Sequence, residues 1–159
     1  MAELTQKEID ERVAILKRFK LLLEEQKKKF QQYLNVLELQ EGKIQTQDDN
    51  ALLAHSELEA QIVEGIGSLQ KVIVPMQKIY NNSRAYYSKE SMIPVEAIQN
   101  DLSKLQKQVL AQNEKNRSLL KSHMNTLRKQ ILEFKNPYRN ANTVYAAKAY
   151  AGTRIAIEV

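Results

Sequence analysis

Cysteine and tryptophan are absent from this 159-residue chain, and glycine and proline together supply only 7 residues. Without cysteine there is no disulfide framework and no thiol chemistry, and the redox compartment leaves no trace. Glycine plus proline at 7 of 159 falls well below the about 12% of average usage, so the chain has few places to turn. Its elements must be few and long. Long apolar runs are also missing: Val72-Ile73-Val74 is typical, against about 20 residues for a membrane span. The opening MAELTQKEID carries acids where a secretory signal needs a basic and then an apolar run. The expectation is a cytoplasmic protein with no membrane insertion.

The chain has a formal net charge of +5, and 27% of its residues are charged. Leaving out the last 24 residues still leaves +3, so the basicity is spread along the chain rather than gathered on one patch. Nucleic-acid binders usually concentrate it on one face. The length fits one domain.

Three helical segments are legible. The first opens with Thr5-Gln6-Lys7-Glu8, a capping box in which side chain and backbone satisfy each other's free groups. Ile9, Leu16, Leu23, Phe30, Leu37 and Ile44 then recur every seven residues. The companion column Val13, Lys20, Lys27, Leu34, Glu41 is mixed, which suits a shallow bundle better than a deep two-stranded seam. Gly42 and QTQDDN mark its expected end. The second segment is expected to start at Asp48 or Asp49 and to run through Leu52, Leu58, Ile62, Ile66, Leu69, Ile73, Met76 and Tyr80. Pro75 should kink or split it, and Gly65 and Gly67 suggest close helix approach. YNNSRAYYSKES reads as a connection, with Pro94 as the first residue of the third helix. Ile98, Leu102, Leu105 and Val109 follow; the pattern lapses through QNEKNR and resumes at Leu120, Met124, Leu127, Ile131 and Phe134. Asn136-Pro137 should end it. The predicted fold is all-α, an elongated antiparallel three-helix bundle or coiled coil over residues 1–135, with a flexible C-terminal tail over 136–159.

Catalytic and metal sites find no support. His55 and His123 lie on separate segments without a ligand-spaced partner, and no glycine-rich phosphate loop is present. No enzyme, cofactor or metal is expected. What remains is surface. Ile98, Leu102, Leu105 and Val109, facing Ile62, Ile66 and Leu69, are either the bundle's own core, the expectation for most of them, or a groove for a partner's amphipathic helix.

The tail NPYRNANTVYAAKAYAGTRIAIEV carries three of the seven tyrosines and a single acid. Tyrosine gives rigid contact area with a polar tip, which favours a binding role. A chain of this length, with a long first helix, two further helices and this tail, resembles the FlgN-type flagellar export chaperones. The resemblance implies a chaperone that binds the C-terminal segments of hook–filament junction proteins, prevents their premature assembly and delivers them to the flagellar type III export gate. It implies no catalysis and no nucleotide. Tyr145 would match the gate-docking tyrosine, followed by Tyr138 and then Tyr150, and the groove residues above would hold cargo. Two other readings stay open: a structural coiled-coil subunit of a larger assembly, and a weak basic nucleic-acid binder.

Overall fold

The computed structural model describes residues 4–135, which form three long α-helices: α1 (Gln6–Gln45), α2 (Asp49–Ser83) and α3 (Lys89–Lys135). A short 3-10 turn, Arg84–Tyr86, follows α2, and no strand occurs among the described residues. The tail lies outside them.

The start of α1 is set by the capping box. The Glu8 amide donates to Thr5 Oγ1 at 3.2 Å, and the Thr5 amide donates to Glu8 Oε2 at 2.9 Å. Gly42 does not end the helix; α1 runs on to Gln45. There Gln47 takes the left-handed conformation (φ 57°), its amide donating to the Ile44 carbonyl and that of Asp48 to Lys43. This is the paired C-terminal closure usually built on glycine, here made by glutamine. Asp48 at once caps α2, accepting from the Ala51 amide at 3.1 Å. Only Thr46–Asp48 joins α1 to α2, so the two helices are forced antiparallel.

Pro75 does not split α2, which continues as one 35-residue helix. The proline lies on the exposed face, so the carbonyl it deprives of a partner is on the wet side. The connection after α2 is shorter than the sequence suggests. Helix α2 takes in Ser83, and α3 begins at Lys89 rather than Pro94. Ser88 explains the early start: its hydroxyl accepts from the Ser91 amide at 3.2 Å and its carbonyl from Met92 at 3.3 Å. Exposed Pro94 is tolerated inside α3, at the cost of one backbone bond.

Three columns of α1 organise the bundle. The central one, Leu16 to Ile44, supplies buried Leu23, Leu37 and Ile44. On one side Phe19, Gln26, Tyr33 and Gln40 face α2. Gln26 Nε2 donates to the Ile66 carbonyl at 3.2 Å and to Gln70 at 3.1 Å, while Tyr33 and Gln40 both donate to Glu59. On the other side the mixed column meets α3. Lys27 pairs with Asp101 at 2.9 Å, Leu34 packs with Leu105 and Val109, and Glu41 takes Lys115 and Gln112. Partners on α2 fall in number as α1 rises, and those on α3 rise with it. The order is up-down-up.

The core has two parts. One joins Phe19 and Leu23 to Ile73, Tyr80, Val95, Ile98 and Leu102, with the Phe19 and Tyr80 rings 5.0 Å apart. The other is Leu34, Leu37, Leu105 and Val109, drawn from α1 and α3. The two glycines of α2 do not serve close helix approach. A Cβ at Gly65 would meet only the Lys29 side chain, nearest atom 3.4 Å, and one at Gly67 would meet nothing within 4 Å. Gly67→Ala is therefore expected to stabilise the fold by about 0.5–1 kcal/mol, since it restores helix propensity without a clash. A rise in thermal midpoint of a few degrees would register it; a fall would mean that the space beside Gly67 is not open.

Contacts divide the chain into two units, Met1–Arg117 and Ser118–Val159, with the boundary inside α3. The first holds the bundle. The second is described here only through its helical run 118–135.

Candidate functional site

The residues expected to line a groove fall into two groups. Ile98, Leu102, Leu105 and Val109 are all buried, the first two in one core cluster and the last two in the other. Ile62, Ile66 and Leu69 are half-buried on α2, and Leu69 packs against the first cluster. The α3 members thus form core within the bundle. The three tyrosines expected to dock at an export gate, Tyr138, Tyr145 and Tyr150, lie outside the described residues.

The bundle closes with a polar cluster where the sequence pattern lapses. Asn116, 2% exposed, donates to the Leu37 carbonyl at 2.7 Å and accepts from Gln112 at 2.9 Å. Gln112 also donates to Glu41 at 2.7 Å, and Lys115 pairs with the same carboxylate at 2.5 Å. Hydrogen bonds from Lys115 and then Gln112 hold the Glu41 carboxyl below its ordinary range. The segment QNEKNR is therefore a lock on α1, not a break in α3. Elsewhere, Tyr33 is pushed up to about 12, by burial first and then by the Glu59 carboxylate it donates to. Burial also raises Tyr80 and Tyr87. Tyr87 donates to the Arg12 carbonyl at 3.0 Å, and the Arg12 guanidinium lies 3.5 Å over the Tyr86 ring. These groups fasten the start of α1 to the turn after α2. They are structural.

His55 and His123 are both half-buried, on α2 and α3 respectively. Among the described residues, no three His, Asp or Glu side chains gather as a metal site would require. None of the described helices is long and apolar enough to cross a membrane.

The second unit presents a different surface. Between Ser118 and Lys135 the apolar side chains are mostly uncovered: Leu120, Met124 and Ile131 are exposed, Leu127 is half-buried, and Phe134 is 87% exposed. Leu120, Met124, Leu127, Ile131 and Phe134 follow one another at alternating steps of four and three residues. This spacing, the same as that of a coiled-coil seam, places them along a single helix face. Single exposed leucines are ordinary, but a continuous apolar seam on one helix marks an interaction surface. The sequence shows this periodicity plainly. What it hides is that Val109 is the last buried apolar side chain of α3 among the described residues.

No family model matches the chain, and no solved structure matches it. An uncharacterized protein of Treponema pallidum (strain Nichols) is 40% identical over 134 residues, covering 84% of each chain. At that identity over most of both lengths, the chain belongs to the same family as this Treponema protein.

Proposed function

We propose that the chain is a non-catalytic export chaperone of the FlgN type, acting in the cytoplasm on hook–filament junction proteins. The observation that carries this reading is the uncovered seam Leu120–Phe134, on the helix that leads to the tyrosine-bearing tail. An export chaperone must cover apolar segments of its cargo that would otherwise assemble early, and an open helical seam can do so. Since the bundle uses Ile98, Leu102, Leu105 and Val109 for its own core, cargo is assigned to the seam. The tail, with Tyr145 foremost and Tyr138 and Tyr150 beside it, is assigned to the export gate. Cargo and gate then engage different surfaces, and delivery needs no cofactor.

Calorimetric titration of the full chain with the C-terminal segment of a junction protein tests this. Saturable one-to-one binding is expected. It should be lost in the double variant Met124→Glu/Ile131→Glu and retained when the three tail tyrosines become alanine. Absence of binding at both low and high salt would sink the cargo assignment. The seam would then favour the second reading, a coiled-coil subunit of a larger assembly, because its heptad spacing also suits permanent pairing.

A further inference from the structure

Charge is distributed unevenly about the seam. With Leu120, Leu127 and Phe134 as one column and Met124 and Ile131 as the other, the two flanking rows are distinct. One row holds Lys121 and Arg128; the other holds His123 and Gln130. Glu133, the single acid between Ser118 and Lys135, falls away from the seam. Lys121 and Arg128 are exposed, and neither belongs to an ion pair among the described residues. Flanking rows of this kind choose the partner and its direction in helix pairs.

Three occupants can be compared by charge. A second copy docked antiparallel would bring Lys121 and Arg128 against the same row of its neighbour, where they repel. Docked parallel, it would set them against histidine and glutamine, with no negative charge gained. The chain's own last 24 residues carry one acid against three basic residues and offer no complement. An amphipathic helix of another protein, with an acidic row beside its apolar face, satisfies both seam and flank.

We infer that the seam from Leu120 to Phe134 receives an acidic amphipathic helix from a partner protein, with Lys121 and Arg128 reading its negative flank. The seam is about 20 Å long at 1.5 Å per residue, so about four turns of partner helix fill it. The charged row contributes orientation and discrimination, while the apolar columns supply most of the burial. This rests on the chaperone reading only in identifying that helix with the cargo segment.

The test uses the full-length chain and two synthetic helical peptides of about 20 residues. They share one leucine and isoleucine seam and differ in flanks of glutamate or lysine. The glutamate peptide is expected to bind one-to-one and to weaken as salt rises. The lysine peptide should bind about tenfold more weakly. In the Lys121→Glu/Arg128→Glu variant the order should invert. Both positions are exposed, so the variant should keep its helical content, checked by circular dichroism. Equal binding of the two peptides, binding of neither, or an unchanged order in the variant would overturn the inference. A junction-protein segment titrated in parallel separates the two ideas. If it binds the original and charge-reversed chains equally, the acidic-flank inference fails and the chaperone reading stands. If the peptides switch order while that segment does not bind, the chaperone reading fails and the acidic-helix surface stands.

Discussion

Truncating Phe19 to alanine is expected to remove about 3–5 kcal/mol of stability. The side chain is 0% exposed, lies 5.0 Å ring to ring from Tyr80, and shares a cluster with Leu23, Val95 and Ile98. That cluster draws on all three helices. A residue touching a single neighbouring helix leaves a hole that the neighbour can partly fill; here three rigid elements would have to move together. Domains of this kind have about 5–15 kcal/mol in total, so the loss takes a large share. In urea the midpoint should fall by about 2 M, for a loss near 4 kcal/mol and a slope near 2 kcal/mol/M. Phe134→Ala is the contrast. That ring is 87% exposed, and its loss should change stability by no more than about 0.5 kcal/mol. If the two truncations cost the same, the division into core and free seam is wrong.

Asn116→Asp is expected to cost about 3 kcal/mol at neutral pH. The wild-type amide donates to the Leu37 carbonyl, and both are buried. A carboxylate of the same shape loses that donor and sets a negative oxygen against a carbonyl oxygen. Gln112 bridges this position to the Glu41 carboxylate, which Lys115 already pairs, so no counter-charge is left over for a second carboxylate. Burial without a counter-charge raises the folded-state pKa of the new carboxyl, and about two units correspond to about 2.7 kcal/mol. The sign follows from linkage. A group whose folded pKa lies above its unfolded value of about 3.9 keeps its full stability below that value. It loses that stability as pH rises through the folded pKa. The gap between variant and wild type should therefore narrow as pH falls toward about 4 and be widest at neutral pH. Asn116→Ala gives the uncharged comparison, a loss of about 1–3 kcal/mol with no such pH dependence. Urea midpoints for the three chains across pH would check both; a gap independent of pH in the Asp variant would remove the argument.

How much of this was readable beforehand depended on whether a signal was local or apolar. The Thr5–Glu8 capping box and the cap of α2 are fixed by neighbours in sequence; the first forms as read, and of the two candidate aspartates Asp48 is the one that caps α2. The apolar period gave three helices in the right order, and the all-α bundle follows. The polar failures share a cause. Gln26, Tyr33 and Gln40 form the row of α1 that faces α2, yet a hydropathy pattern passes over glutamine. Their role depends on Glu59, Gln70 and the Ile66 carbonyl, which are distant in sequence. Asn116 was hidden in the same way, inside a stretch that reads as a gap. Gln47 adopts a conformation that sequence assigns to glycine, so Gly42 was read as part of the helix end, which falls instead at Gln45, the first residue of QTQDDN. Pro94 drew the expected start of α3 past its true start at Lys89, because a proline favours the first turn and Ser88 lay in a stretch read as a connection. For the site, the apolar residues of α3 were legible, but which of them the bundle would consume was not. That division is set by where α1 ends, and Leu37 and Glu41 meet Asn116 and Gln112 near that point.

The short supply of deep anchors on α2 has a dynamic consequence. Of its 35 residues only Ile73 and Tyr80 are buried, both in the C-terminal half. From Asp49 to Gly67 the helix is held by half-buried side chains and by the hydrogen bonds to Glu59 and Ile66. Local opening free energy tracks buried apolar contact. Amide protons in this half of α2 should therefore exchange with solvent through partial opening, well before those around Leu37 or Val95. The α1–α3 contact through Leu34, Leu37, Leu105 and Val109 is buried and is expected to outlast that opening. The first half of α2 is thus the part of the bundle expected to open first, while its second half stays anchored through Ile73 and Tyr80.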